Sequence, residues 1–195
     1  VQSLTWGDVG HQARCAAHWL RARELPQGSH IALISKNCAH WIIADLAIWM
    51  AGHVSVPLYP NLTADSVAHV LSHSEAALVF IGKLDDWPAM APGVPAGVPT
   101  ISLPLCPPGA FDFSWADLQA CSPIQDNPQP AASDLATIIY TSGTGGVRRA
   151  AAHARLRPRR RPLCHDRLSH GPGSAGAWRQ GRCPAGRQPP GSPPG

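Results

Sequence analysis

A run of hydroxyl and glycine residues near residue 140 has the composition of an anion-binding loop. It consists of Thr141-Ser142-Gly143-Thr144-Gly145-Gly146 and directly follows a short hydrophobic segment. Glycines let a backbone approach a ligand closely, and successive N–H groups and threonine or serine hydroxyls can converge on phosphate oxygens. The run therefore indicates a cradle for nucleotide phosphates, although the same residue types also build ordinary polar turns.

The run matches neither of two common nucleotide-binding signatures. The pattern G-x-x-x-x-G-K-[ST] requires a lysine, and the chain has only Lys36 and Lys83. The G-x-G-x-x-G spacing of dinucleotide sites is not present either. The residues alone thus leave two interpretations open, a phosphate cradle and a polar turn.

Strands and helices alternate along the part of the chain that leads to this run. Thr5 and Asp8 form a capping pattern for a helix that ends before Pro26, and Thr63 can cap a later helix. Apolar periodicity and turn residues predict a buried helix at 39–50 and strands at 31–34, 54–56, 77–81 and 135–140. This alternation predicts an α/β fold: a partial N-terminal lobe with a mostly parallel sheet and helices on both faces.

The segment 88–130 breaks the alternation. It contains ten prolines and only short apolar pieces. We expect an irregular connection with one further strand at 100–103. Asp85 and Asp86 precede it, and acidic side chains at this position are typical of the start of a short helix.

Charge and hydrophobicity divide the chain near residue 145. Residues 1–144 hold 11 of the 12 acidic residues and 5 of the 16 Lys and Arg, whereas residues 145–195 hold one acidic and 11 basic residues. The second part has only four Ile, Leu, Val, Met or Phe residues, too few to offset the entropy of ordering. The sequence therefore predicts a folded domain at 1–146 and a basic, Arg/Pro/Gly-rich, disordered tail at 147–195.

The composition of the tail is typical of GC-rich DNA translated out of frame. Gly, Pro, Ala and Arg account for 35 of the last 51 residues, and Lys, Ile, Phe and Tyr do not occur among them. All four frequent residues are encoded wholly or largely by codons that begin with two G or C bases. We therefore interpret the chain as truncated by a frameshift near codon 145.

Several classes of protein are excluded by composition. The longest apolar stretch, residues 41–51, is interrupted by Asp45 and has about half of the ~20 residues of a membrane-spanning helix. The first residues lack the basic head and apolar run of a secretory signal. The six cysteines form no C-x-x-C pair, which argues against a structural zinc site. These features predict a cytoplasmic protein with free thiols, no transmembrane segment and no metal site of its own.

Several motifs resemble one enzyme family. The segment Ile138-Ile139-Tyr140-Thr141-Ser142-Gly143-Thr144 resembles the phosphate-loop signature Y-T-S-G-T-T-G-x-P-K-G of the acyl-adenylate-forming enzymes, the AMP-binding superfamily that includes the acyl-CoA synthetases. Three earlier segments also resemble landmarks of that family: Leu4-Thr5-Trp6, Ile31-Ala32-Leu33 with Lys36-Asn37, and residues 51–58. Residues 37–41 and 83–87 most resemble bacterial long-chain fatty acid CoA ligases. The resemblance covers residues 3–146.

The resemblance implies a ligase that activates a carboxylic acid, here a fatty acid, with ATP and Mg²⁺ and then transfers the acyl group to coenzyme A. A carboxylate is a poor electrophile, and bonding it to AMP supplies a leaving group. The protein therefore mainly positions reactants and neutralises phosphate charge. By resemblance, Gly146 allows the turn and the β- and γ-phosphates are held by Thr141, Ser142, Gly143 and Thr144. Arg149 stands where the family has its loop lysine and keeps the positive charge as a planar guanidinium.

The match to the family pattern decays beyond Thr144. Gly145 replaces Thr, Arg148 replaces Pro and Ala150 replaces Gly. The later family landmarks are not found: the Y-G-x-T-E adenine motif, the hinge, and the adenylation lysine of the C-terminal domain. We therefore expect an N-terminal fragment that does not complete a catalytic turnover, and we assign it no catalytic residue.

Two other functions are compatible with the sequence. In the first, the N-terminal lobe at 1–146 is a non-catalytic remnant that binds a nucleotide or a partner protein. In the other, the five arginines between Arg155 and Arg161 would bind nucleic acid by releasing counterions. No aromatic platform for bases accompanies these arginines, so we expect no specific nucleic-acid partner. The residues predict neither the oligomeric state nor the identity of the acid.

Overall fold

The computed structural model describes residues 3–141 and 149–154. The helices are α1 (Trp6–Arg21), α2 (Ala39–Met50), α3 (Ala64–His73), α4 (Trp87–Met90) and α5 (Trp115–Gln119), with a 3₁₀ turn at Ala91–Gly93. The strands are β1 (His30–Ile34), β2 (Val54–Leu58), β3 (Leu78–Ile81), β4 (Thr100–Ser102), β5 (Phe113–Ser114), β6 (Leu135–Thr141) and β7 (Arg149–Ala154). These residues belong to one compact unit, residues 1–158, whereas the second unit, residues 159–195, lies outside the described residues.

One sheet joins the seven strands in the order β5-β4-β3-β1-β2-β6-β7. All neighbours from β5 to β6 are parallel, and β7 is antiparallel to β6. The predicted α/β fold with a mostly parallel sheet is therefore confirmed. β6 follows β5 along the chain but lies on the far side of β2, so a long connection returns the chain across the sheet.

The predicted helix starts and ends agree with the observed ones. Thr5 and Asp8 form the expected capping box, in which the Asp8 amide donates to the Thr5 hydroxyl and the Thr5 amide donates to the Asp8 carboxylate. The Thr63 hydroxyl accepts from the Ser66 amide at the start of α3. These caps satisfy amides that have no partner inside the helix, which is why short sequence signals predict them well.

The core lies in two layers, one on each face of the sheet. Ile31 and Leu33 of β1 pack with apolar side chains of α1, α2 and α5. The alternating residues Ala32 and Ile34 pack on the opposite face with side chains of α3 and α4. Because all four are fully buried, β1 is a central strand covered on both faces.

The proline-rich segment contains more regular structure than the sequence predicts. The expected strand near residue 100 is present as β4 and the expected short helix as α4, but β5 and α5 also form there. Asp86 caps α4, as expected from the Asp85-Asp86 pair, and Ser114 with Asp117 forms a second capping box at α5. These elements have two to five residues, which is too short for an apolar period to be recognised along the chain.

The sheet continues into the segment that the sequence analysis assigned to the tail. Residues 149–154 pair with β6 as strand β7, which ends with Ala154 opposite Leu135. The rest of the predicted disordered tail, together with residues 147 and 148, lies outside the described residues.

Candidate functional site

The carboxyl end of β6 carries the first residue of the predicted phosphate loop. Thr141 is the last residue of β6 and its side chain is exposed. Ser142, Gly143, Thr144 and Gly146 lie outside the described residues. Arg149 begins β7, and its Cα is the direct partner of Thr141 across the antiparallel pair. The structure thus brings the first and last predicted loop residues, Thr141 and Arg149, together at one edge of the sheet.

Two side-chain contacts hold the first half of β6. Thr137 Oγ1 donates to the Ser55 carbonyl at 3.0 Å, and the buried Ser55 hydroxyl donates to Thr137 Oγ1 at 3.2 Å. The indole of Trp49 donates to the carbonyl of Ala136 at 2.9 Å. The backbone ladder between β6 and β2 is short and pairs only Ser55 with Thr137 in register. The side-chain contacts therefore add to the attachment of β6 to β2 and α2.

A third contact holds β6 next to the loop. Tyr140 is 3 % exposed, and its phenol oxygen lies 2.6 Å from His73 Nδ1 on the last residue of α3. Burial raises the pKa of Tyr140, and a hydrogen bond with the Ser74 side chain opposes this rise. The phenol therefore stays protonated near neutral pH and keeps its O–H as a donor.

The loops after β1 and β3 meet at the same edge of the sheet. The Lys36 amide donates to the Lys83 carbonyl at 2.8 Å, and the Lys83 amide donates to the hydroxyl of the buried Ser35 at 3.0 Å. Lys36 also forms an ion pair with Asp85. After β1 the chain passes to α2 on one face of the sheet, and after β3 it passes to α4 on the opposite face. Open α/β sheets bind ligands in the crevice where neighbouring strands connect to opposite faces in this way.

This edge has the chemistry to receive an anionic group. Both lysines of the chain lie there, and so does the amino end of α2, whose N-cap residue Cys38 makes no capping hydrogen bond with its side chain. Helix amino ends and cations favour negative charge. Tyr59 is the residue after β2, the strand beside β6, and it is 53 % exposed. Nucleotide phosphates fit these surroundings. The sequence did not assign Tyr59 or the lysines to the site, because strand order decides which loops are neighbours.

A cavity lies at the other end of the strands. It has a volume of about 810 Å³ and is lined by the first residues of three strands, His30, Val54 and Leu135, together with Trp49 and Asp134. Leu135 is six residues before Thr141, about 20 Å away at ~3.3 Å per residue along a strand. Since parallel α/β sheets bind ligands at the carboxyl ends of their strands, we do not assign this cavity to the candidate site.

Within the described ranges, no group of three His, Cys, Asp or Glu residues is placed to hold a metal ion. None of the helices among residues 3–141 combines the length and apolarity needed to cross a bilayer.

Comparison with known proteins identifies similar chains. A family model described as AMP-binding enzyme matches residues 1–155. The peroxisomal long chain acyl-CoA synthetase 6 of Arabidopsis thaliana is 30 % identical over 170 residues, which cover 78 % of this chain and 24 % of that protein. The long-chain-fatty-acid–CoA ligase FadD15 of Mycobacterium bovis is 31 % identical over 150 residues, which cover 73 % of this chain and 25 % of the relative.

A solved structure has the same fold. The anthranilate CoA ligase AuaEII, crystallised with anthranoyl-AMP, superposes with a TM-score of 0.68 at 18 % identity and covers 78 % of this chain and 30 % of that one. The chain spans about a quarter of the length of the two curated relatives that it matches.

Proposed function

This chain belongs to the AMP-binding enzyme family, and on that premise we propose that it is the N-terminal part of an ATP-dependent acyl-CoA synthetase and that its β6–β7 loop binds the phosphates of ATP. The observation that supports this most is the position of the two ends of the loop, Thr141 and Arg149. The Y-T-S-G-T run leaves the carboxyl end of β6, at the edge where a nucleotide fits the lysines and the amino end of α2. The substrate class that we propose is a fatty acid, as in the names of the similar plant and mycobacterial proteins.

In this proposal the loop residues have separate roles. The hydroxyls of Thr141, Ser142 and Thr144 and the amides around Gly143 donate to the β- and γ-phosphate oxygens, and Gly146 allows the chain to turn back toward β7. Arg149 supplies positive charge where the chain enters β7. In a complete enzyme of this family, an acid carboxylate would then attack the α-phosphorus and release pyrophosphate, and the thiol of coenzyme A would displace AMP from the acyl-adenylate. Mg²⁺ would enter with the nucleotide and neutralise phosphate charge.

We also propose that this polypeptide binds ATP without completing the reaction. Its sequence contains no match to the family's Y-G-x-T-E adenine motif and no match to the adenylation lysine. The cytoplasmic location predicted from the sequence stays a prediction, since the plant relative is named as a peroxisomal protein.

Calorimetric titration of the full chain tests the proposal. We expect ATP with Mg²⁺ to bind at least about tenfold more tightly than AMP, because AMP lacks the two phosphates that the loop holds and each charge-assisted hydrogen bond contributes about 1.5–3 kcal/mol. Equal affinities, or no heat with either nucleotide, would contradict the proposal. A parallel assay with ATP, Mg²⁺ and palmitate should release no pyrophosphate, and release above background would show that turnover is retained.

The proposed change of reading frame has a direct test. Resequencing the locus across codons 140–160 should reveal a missing or additional base near codon 145. The family match continues to residue 155, so the sequenced stretch must extend beyond that point. The corrected frame should encode P-K-G and a long downstream reading frame, and a corrected frame without any family motif would refute the frameshift.

A further inference from the structure

We infer that His73 is a positioning residue that holds the junction between β6 and the proposed phosphate loop in place through Tyr140. The effect on ATP rests on the function proposed above, whereas the effect on the β6 junction does not. His73 lies 67 positions before Tyr140 in the chain, and only the packing of α3 on the sheet brings the two together.

The geometry of the pair is specific. His73 Nδ1 and the Tyr140 phenol oxygen are 2.6 Å apart. The two rings meet edge to face, with centroids 5.6 Å apart and planes at 89°. A hydrogen bond fixes the direction of the phenol, and the ring contact adds a packing preference that a flexible side chain would not supply.

Tyr140 transmits this contact to the loop because of where it lies. It is the residue before Thr141, and its ring is buried in the core layer formed by α3 and α4. The contacts made by Ala136 and Thr137 lie five and four residues before Thr141, respectively. The His73 bond is therefore nearest the point at which the chain leaves the sheet.

The two partners differ in exposure, which makes the contact testable. His73 is exposed, so its substitution does not open a cavity in the core. The Tyr140 side chain is almost fully buried, so its phenol loses an important partner when the His73 nitrogen is removed. A buried polar group that loses a hydrogen-bond partner is costly, and Ser74 then remains as the side-chain partner of the phenol. We therefore expect the end of β6 to be held less firmly without the His73 nitrogen.

Three variants separate this role from a general effect on stability. His73→Phe keeps a planar ring and removes Nδ1, whereas His73→Asn places an amide atom near the former position of Nδ1. His69→Phe makes the same change one turn earlier on α3, where the ring lies beside His73 but not in the bond to Tyr140. A double-mutant cycle with Tyr140→Phe measures the coupling between the two residues.

The first measurement is amide hydrogen exchange of residues 138–141 without nucleotide. We expect His73→Phe to exchange about tenfold faster than the wild type, and His73→Asn and His69→Phe to stay within about threefold of it. In a Tyr140→Phe background, His73→Phe should have little further effect. Equal exchange in the wild type and His73→Phe, or identical effects of His73→Phe and His69→Phe, would overturn the inference about the junction.

The second measurement is the ATP dissociation constant of the same variants. If the wild type binds ATP, His73→Phe should weaken binding about tenfold, and His73→Asn should restore most of the loss. Unchanged affinity in His73→Phe would refute the link from the junction to the loop. A wild type that binds no ATP would refute the proposed function, and the exchange comparison would still decide whether His73 holds the junction.

Discussion

Thr141 and Arg149 are direct Cα partners across the antiparallel pair of β6 and β7. The seven residues between them, 142–148, therefore connect two strands that lie side by side. In nucleotide sites of the P-loop type, by contrast, a helix follows the loop and its amino end faces the phosphates. Phosphate binding at a strand-to-strand connection therefore depends more on the amides and hydroxyls of the loop, besides the lysines and the amino end of α2 at the same edge. We therefore expect the hydroxyls of Ser142 and Thr144 to contribute much of the free energy of phosphate binding.

Removal of a loop hydroxyl should weaken ATP binding. We expect Ser142→Ala and Thr144→Ala each to raise the ATP dissociation constant about tenfold or more, since each removes a hydrogen bond to a charged oxygen. Ser122→Ala, which removes an exposed hydroxyl after α5, serves as the control and should bind like the wild type. Calorimetric titration measures all three, and wild-type affinity in both loop variants would argue against the loop as the phosphate site.

Gly82 should not tolerate a side chain. A Cβ at this position would lie 2.4 Å from the Ser35 hydroxyl oxygen, which accepts from the Lys83 amide. Gly82→Ala should therefore lower the free energy of unfolding by about 1–3 kcal/mol. Gly10 lies inside α1 and has open space where a methyl group would be added, so Gly10→Ala should instead stabilise the protein by up to about 1 kcal/mol. Urea unfolding checks both signs, and a neutral Gly82→Ala would show that Ser35 can move away.

Leu118 should be essential for packing α5 against α1. Its side chain is fully buried in the first core layer, so Leu118→Ala should cost about 2–5 kcal/mol. Leu105 is 67 % exposed, and Leu105→Ala should stay within about 0.5 kcal/mol of the wild type. Chemical denaturation of both variants provides the comparison. Similar midpoints would indicate that α5 does not contribute to the core.

Stability should fall as the pH decreases from 7 toward 5. Burial lowers the pKa of His53 in the folded protein, whereas the unfolded chain takes up the proton near the ordinary pKa of about 6.5. The unfolded state therefore binds more protons in this range, and the stability present above pH 6.5 is lost through it. His40 contributes in the same direction, because burial also lowers its pKa.

Variants of these histidines test the origin of this pH dependence. Denaturant unfolding at pH 8, 7, 6 and 5 should show a smaller decrease in His53→Gln than in the wild type, whatever the stability of the variant at pH 8. The double variant with His40→Gln should show a smaller decrease still. A wild-type slope in the double variant would assign the pH dependence to other groups.

Cys106 should be a slow nucleophile in the folded protein. Burial raises its pKa to about 11, so little thiolate is present at pH 8. Alkylation by iodoacetamide at pH 8 should become about a hundredfold faster when urea unfolds the chain and restores the ordinary pKa of 9.0. Mass spectrometry of the peptide that contains Cys106 measures both rates. Equal rates in urea and buffer would show that this thiol is accessible and ionises normally.

The type and position of most elements follow from local sequence. Thr5, Thr63 and Gly52 delimit helices through local rules, since a cap or a helix stop involves residues only a few positions apart. The strand at 31–34 was likewise recognised from a continuous apolar run, and all four of these residues are buried. Of the short elements between residues 87 and 119, β4 and the start of α4 were predicted. The elements β5 and α5 were missed, because β5 has only two residues and the five-residue α5 is stabilised largely by packing on α1.

Which of these elements are neighbours depends on long-range packing. The position of β6 beside β2, the meeting of Lys36 with Lys83, and the bond from His73 to Tyr140 all join residues separated by long stretches of chain. Local patterns specify how each segment folds, but strand order depends on how two core layers are filled at once. The loop residues were therefore recognisable from their types, whereas the surroundings that support them depended on the packing of the whole sheet.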